Sequence, residues 1–273
     1  MKSIFLKELK LSKKGLIIWC IVLLVTIGYG LAEYPMVSQN ADSIMSSMDS
    51  MPRIIVIMFG MEGLSFNTSL DYHLIMFYWI CLITFNHAIY IGVTMLSRDQ
   101  RDKTFEYIYS KPYQRNEIIT AKIMVGVVNI LVVAFVTWIA SVFTVIFIDG
   151  TAMGIINGKL IIGLITLTII GMVLAQTVFF SIGLLLAALF NTHNSALKSG
   201  FMFVLTTYVI GVIIEYVGNV NYLNFLTPFR YFIGTEVVNK GISIIYVLIG
   251  ALVTFISIYL TYVIYNKRDL LYW

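Results

Sequence analysis

Six apolar runs of membrane-spanning length govern what this 273-residue chain can fold into. They lie at residues 16–34, 72–96, 118–148, 160–190, 201–217 and 242–265. A helix crosses the hydrocarbon core with about 20 apolar residues, and about 17 can suffice. Lipid offers no partner to a free backbone amide, so such runs must be helices. The expected fold is all-α: a polytopic membrane protein with six transmembrane helices in one domain, residues 1–273. The composition agrees, with 59% hydrophobic and only 12% charged residues and a mean hydropathy of +0.90. A soluble domain carries about 25% charged residues. Cys20 and Cys81 both fall inside apolar runs, without metal-ligand spacing, and read as buried thiols.

Six crossings place both termini on one side, and the basic residues divide in the same way. One side holds Lys2, Lys7, Lys10, Lys13, Lys14, Arg98, Arg101, Lys103, Lys111, Arg115, Lys122, Lys198, Lys267 and Arg268. The other holds only Arg53, Lys159, Arg230 and Lys240. By the positive-inside rule both termini face the cytoplasm, here of a bacterial plasma membrane.

Residues 1–14, MKSIFLKELKLSKK, put Ile4, Phe5 and Leu9 on one helical side and spread lysines around the other. This predicts an interfacial helix on an anionic membrane surface. A signal peptide ending near Gly30 and Ala32 is the alternative, opposed by the length of the run and the spans that follow. In the first external segment, Met51-Pro52 precedes RIIVIMFGMEGL, too short to span and expected to form an interfacial or partly inserted helix. Asn67-Thr68-Ser69 matches a glycosylation sequon and is expected to be a chance match.

Between the second and third spans runs SRDQRDKTFEYIYSKPYQRNEIITAK, residues 97–122, whose charge assigns it to water as a cytoplasmic loop. As a helix over 98–109 it would place Phe105, Ile108 and Tyr109 on one face. An Asp99–Lys103 pair at i,i+4 would add about 0.3 kcal/mol. Lys111 precedes Pro112, so that helix should stop near Ser110. Asn116 is then expected to cap the third span, with Glu117 near its positive end. A short helix, a hard turn and a new span make a unit that can transmit force. The alternative is a solvated loop without a partner.

The segment resembles the first cytoplasmic loop of ABC-2 type permeases, the membrane subunits of ABC exporters. Asp99 or Asp102 supplies the first acid of that pattern, Thr104 the threonine and Glu106 the second acid. Tyr107, Ile108 and Tyr109 fill the apolar run, Ser110-Lys111-Pro112 gives Ser-x-Pro, and Arg115 and Lys122 complete it. Lys103 departs from the usual glycine. The resemblance extends over the basic N-terminus, Met51-Pro52 and Phe59-Gly60, the six spans, and the aromatic segment around Thr227-Pro228-Phe229.

The resemblance implies a coupling helix over residues 97–117, resting with the N-terminal helix on a soluble ABC ATPase. Arg101, Asp102, Thr104, Phe105, Glu106, Tyr109, Pro112 and Arg115 are the residues expected to carry that contact. The turn at 191–198 would be a secondary contact. Two ATPase copies would drive two permease copies, an expected homodimer, between inward- and outward-facing states. The segment around Pro228, Phe229 and Phe232 would dip back into the membrane and close the outer exit. Read from residues alone, Tyr222, Phe225, Phe229, Tyr231 and Phe232 form an aromatic interface belt.

The chain carries no Gly-x4-Gly-Lys-[Ser/Thr] motif. In Gly154-Ile-Ile-Asn-Gly158-Lys159-Leu160 the spacing is wrong and Leu160 has no hydroxyl for magnesium. ATP and magnesium are therefore expected on the partner, no cofactor or metal here, and no catalytic residues. Polar in-span residues are few: Asn86, His87, Asn129, Gln176, Thr206 and Thr207. Asn86, His87, Thr206 and Thr207 are the candidates for a cargo cavity, with interhelical hydrogen bonding as the plainer role. No acid falls in mid-span, which argues against ion coupling.

Apolar, aromatic and Met-rich walls suit hydrophobic or amphipathic cargo. The resemblance points to peptides, with drugs or lipids and then sodium as alternatives. An intramembrane enzyme would need paired carboxylates, a Ser/His arrangement or a metal cluster, and His73, His87 and His193 share no ligand spacing. A non-transporting scaffold or sensor is the remaining class. Nucleic acid is not an expected partner, and the lipid bilayer is.

Overall fold

The computed structural model describes residues 2–64, 66, 68–102, 114–149 and 155–267. Among them there are helices and no strands. In chain order these are α1 (Lys2–Gln39), α2 (Ala41–Asp49), α3 (Arg53–Met58), α4 (Ser69–Arg101), α5 (Arg115–Asp149), α6 (Ile155–Leu189) and α7 (His193–Val217). Two 3-10 turns, Asn221–Leu226 and Pro228–Arg230, lead to α8 (Gly234–Lys240) and α9 (Ile244–Lys267). Six helices, α1, α4, α5, α6, α7 and α9, are long and apolar enough to cross a membrane. Below, the basic end is the one that carries Lys2 and Lys267, and the outer end is its opposite.

α4 and α6 form the centre of the bundle, and α1 and α9 lie at its edge. The α4–α6 crossing is set by two glycines. A Cβ on Gly183 would stand 2.6 Å from the Ile89 carbonyl oxygen, and one on Gly92 would stand 2.4 Å from that of Phe180. Small residues let helix backbones approach closely in lipid, where packing rather than water drives association. α1 contributes a stripe at four-residue spacing, Ile4, Glu8, Ser12, then Leu23 and Ile27, and exposes Ile18, Val25 and Tyr29 on its other side. In water such an outward face would be unstable, whereas in a bilayer it meets acyl chains.

Three boundaries differ from the sequence expectation. The N-terminal helix and the first span are one uninterrupted helix, α1, because Ile4, Glu8 and Ser12 continue the buried stripe. α7 begins at His193, not after a turn ending at Lys198, because the Thr192 hydroxyl accepts from the Ser195 amide and caps it. α5 begins at Arg115, and Asn116 is not its cap. The Glu117 carboxylate reaches back to the Gln114 amide at 3.2 Å, the acidic half of a capping box. Asn116 instead accepts from the Asn266 side-chain amide at 2.7 Å.

At the outer end, α3 and the loop behind it are docked on α7. The Tyr208 hydroxyl donates to the Met58 carbonyl at 2.7 Å. Arg53 donates to the Glu62 carboxylate at 2.6 Å and to the carbonyls of Glu215 and Tyr216. Those carbonyls end α7 without helical partners, so a guanidinium is a natural cap. Gly60, at φ +69°, lies against the Tyr78 ring, where a Cβ would clash at 2.5 Å.

Candidate functional site

The site at the basic end begins with the two helices that flank residues 102–114. Lys122, in the second turn of α5, has no solvent exposure at all. Its ammonium donates to the Asp99 carboxylate at 2.5 Å and to the Met95 carbonyl at 2.6 Å. Glu8 of α1 stands 3.7 Å from both Lys122 and Arg98, and is 1% exposed. Two acids and two bases thus close into a neutral buried cluster that joins α1, α4 and α5. One turn further along α1, Ser12 accepts from the Asn129 side-chain amide at 3.3 Å. A charge without water needs this kind of pairing.

The expectation that residues 97–122 lie wholly in water is therefore corrected. Ser97, Arg98, Asp99 and Lys122 are buried between helices, while Arg101 and Asp102 are exposed. Asp99 faces Lys122 across helices, and Lys103 lies outside the described residues. Arg101 and Asp102 pair with each other at 2.8 Å, and that hydrogen bond first holds the Asp102 carboxyl below its ordinary pKa. Thr104, Phe105, Glu106, Tyr109 and Pro112 lie outside the described residues. Arg115 opens α5 and donates to the Asn266 carbonyl at 3.0 Å. With Thr120 and the Tyr262 hydroxyl 2.7 Å apart, this fastens the start of α5 to the end of α9. The Ser97 hydroxyl, 2.6 Å from His193 Nδ1, ties α4 to the start of α7. α1, α7 and α9 are thus each tied directly to α4 or α5 at this end.

With this geometry in place, the comparison with protein families becomes decisive. The model of the ABC-2 family transporter protein matches residues 2–270. The chain belongs to the ABC-2 transporter family. A search of curated proteins finds no match. The ABC-2 chain is thus a membrane permease of an ABC transporter, a family whose members form the transport component and in general work with a separate ABC ATPase.

The in-span candidates of this ABC-2 permease separate. Asn86 donates to the Leu82 carbonyl of its own helix at 2.8 Å. His87 is fully buried, with the Trp19 ring edge-on at 5.4 Å and, among the described residues, no hydrogen-bond partner on either ring nitrogen. Thr206 is exposed on the outside of α7, whereas Thr207 is buried and donates to Val204. Gln176 is buried without a hydrogen-bond partner among the described residues.

The external aromatic segment divides as well. Tyr222 and Phe225 are exposed, and Pro228, Phe229, Tyr231 and Phe232 are buried. The Phe229 ring lies 5.4 Å from Tyr78, 5.5 Å from Phe85 and 5.4 Å from Tyr208. Phe85 is midway along α4, so the segment dips into the bundle instead of lying on its rim. Pro228 permits the dip by starting a 3-10 turn where its missing amide costs nothing. Arg230, 5% exposed, anchors the segment to Glu215 and, at 3.5 Å, to Glu236. Glu8 and Arg230 are the functional candidates that sequence reasoning passed over. Glu8 is hidden among the lysines of the N-terminal segment, whereas Arg230 is a charge set among aromatic residues, a signal the sequence does offer.

Proposed function

We propose that this chain is the membrane-spanning subunit of an ATP-driven exporter, moving hydrophobic or amphipathic cargo, chiefly peptides, out of the cell by alternating access. The supporting observation is the buried Glu8–Arg98–Asp99–Lys122 cluster. It binds both helices that emerge from the 102–114 segment to each other and to α1. Force applied to that segment therefore displaces three helices together instead of bending one. An ABC ATPase pair carrying ATP and magnesium would supply the force, contacting Arg101, Asp102, Glu106 and their neighbours. Two permease copies would pair in a bacterial plasma membrane with both termini in the cytoplasm. ATP-driven closure then closes the basic end and opens the outer one, where Phe229 and Phe232 act as the gate.

Amphipathic helical peptides of the phenol-soluble modulin kind are the specific cargo proposed. Apolar, aromatic and Met-rich walls suit them better than sugars or nucleotides. Drugs, lipids or sodium are alternative cargoes for the same architecture.

The test is co-purification with a co-expressed ABC ATPase subunit from the same organism, and ATP hydrolysis with and without Asp102→Arg and Glu106→Arg. Binding by the unaltered chain, with loss or uncoupling in the reversals, supports the coupling role. No binding, or reversals without effect, sinks it. ATP-dependent uptake of a labelled amphipathic peptide into inside-out vesicles tests the cargo separately.

A further inference from the structure

At the outer end, α2 carries a methionine at every third residue, Met45-Ser-Ser-Met48-Asp-Ser-Met51. Residues three apart on a helix are neighbours, with about 5–6 Å between their Cβ atoms. The Met51 amide bonds back to the Met48 carbonyl at 2.9 Å, so the turn continues past Ser50. A cavity of about 340 Å³ opens here, lined by Met48, Met51 and Met61, with Ile44, Ile55 and Phe59. Met61 arrives from the far end of α3, its amide on the Val56 carbonyl at 3.0 Å. Met48 and Met61 also pack against the buried residues Ala41, Phe66, Tyr72 and Ile75, which anchors the segments that carry them. Ser47, at the edge of the cavity, spends its hydroxyl on the Ser43 carbonyl. Three thioethers from two separate segments are thus the soft donors of this space. Its surroundings favour a cation. Between Lys14 and Arg53 the chain carries Glu33, Asp42 and Asp49 and no base. Arg53 itself is held by Glu62 and the end of α7. Met48 lies in the last turn of α2, the negative end of that helix. Among the described residues no group of three His, Cys, Asp or Glu could hold a metal. A metal bound here is therefore one that thioethers bind unaided, which selects Cu(I) and its soft analogues over ions that need oxygen or nitrogen ligands.

We infer that this cavity binds one soft monovalent cation, of the Cu(I) and Ag(I) class, through the sulfurs of Met48, Met51 and Met61. Neutral thioethers leave the ion its charge, which the α2 terminus and Asp49 offset. Methionine is unbranched with three rotatable bonds, so the sulfurs turn into a space wider than the ion and close on it. Bound metal ties the end of α2 to the loop behind α3. The other side of α3 belongs to the exit: Ile55 and Phe59 line the methionine cavity, whereas Ile57 lines a separate space with Phe229. The site goes beyond the export reading and depends on neither the ATPase nor the cargo.

The experiment is calorimetric titration of the purified full chain with silver nitrate, in a maltoside detergent and a chloride-free buffer. Silver is the redox-stable probe, and a Cys20→Ala/Cys81→Ala background removes the competing thiols. Saturable binding of one equivalent is expected, at least ten-fold tighter than zinc or calcium and insensitive to excess sodium. Met48→Leu and Met61→Leu keep the volume and remove the sulfur, and each weakens binding at least ten-fold. Met36→Leu, exposed on α1 and outside the cavity, leaves it unchanged. Silver binding untouched by both cavity variants, or zinc bound as tightly as silver, overturns the site. Saturable binding of n-octanol that survives the leucine variants, without silver binding, marks an apolar pocket and overturns it as well. X-ray absorption of the chain loaded with Cu(I) under ascorbate should show only sulfur neighbours, and nitrogen or oxygen in their place overturns the thioether assignment. None of these readouts involves transport, so this inference and the export reading fail separately.

Discussion

Lys122 and Asp99, 23 residues apart in sequence, meet at 2.5 Å and fix to each other the two helices beside the charged segment. Removing one partner strands a buried charge, which costs about 3–5 kcal/mol. Lys122→Met should therefore lower the thermal unfolding temperature in detergent sharply. Adding Asp99→Asn should restore part of the loss, because it removes the stranded carboxylate. Equal stability of the single variant and the unaltered chain would show that the pair contributes little.

The glycine crossing of α4 and α6 has a defined tolerance. Gly183→Ala places a methyl group 2.6 Å from the Ile89 carbonyl oxygen, so the two backbones must separate. Overpacking of this kind costs about 1–3 kcal/mol. Gly163→Ala meets nothing within 4 Å and should be neutral or stabilise by up to about 1 kcal/mol, since alanine is the better helix former. Unfolding both variants beside each other checks the contrast.

Phe229→Ala removes the ring that fills the space among Tyr78, Phe85 and Tyr208. Large-to-small changes at buried aromatics cost about 3–5 kcal/mol. The more specific consequence is access. Phe229 and Cys81 line the same cavity, so in a Cys20→Ser background a membrane-impermeant maleimide added from outside should label Cys81 at least ten-fold faster. Unchanged labelling would mean that Phe229 does not close the exit.

The spans were legible because length and apolarity alone decide them in lipid. Residues 72–96 fall inside α4, and 242–265 begins two residues before α9 and otherwise lies within it. The start of α7 was legible in principle from Thr192 and Ser195, but the polar run 191–198 outweighed a capping signal of two residues. Glu8 was not legible. It sits among five lysines, and only the pairing of α1 with α5 brings it to Lys122, 114 positions away. The burial of Phe229 was hidden for a related reason. A short aromatic segment reads the same whether it rims a membrane or dips into it, and the choice depends on the space left by α4 and α7. The contact residues Thr104, Phe105, Glu106, Tyr109 and Pro112 rest on the sequence pattern.

Glu8 supplies the last prediction, because it separates a structural charge from a transmitting one. Its carboxylate stands 3.7 Å from both Arg98 and Lys122, beyond direct hydrogen bonding, so it acts on α4 and α5 through its charge. Glu8→Gln keeps the shape and leaves one uncompensated positive charge in the cluster, which should loosen α1 from the other two helices. A merely structural loss would reduce ATP hydrolysis and transport together, through the amount of folded protein. Loss of transmission should instead lower cargo moved per ATP hydrolysed several-fold, at equal amounts of purified complex. Glu8→Asp should restore much of that ratio, and Leu11→Ala, on the exposed side of α1, should leave it unchanged. A constant ratio in Glu8→Gln would confine the residue to stability and leave Asp99 and Lys122 as the joint.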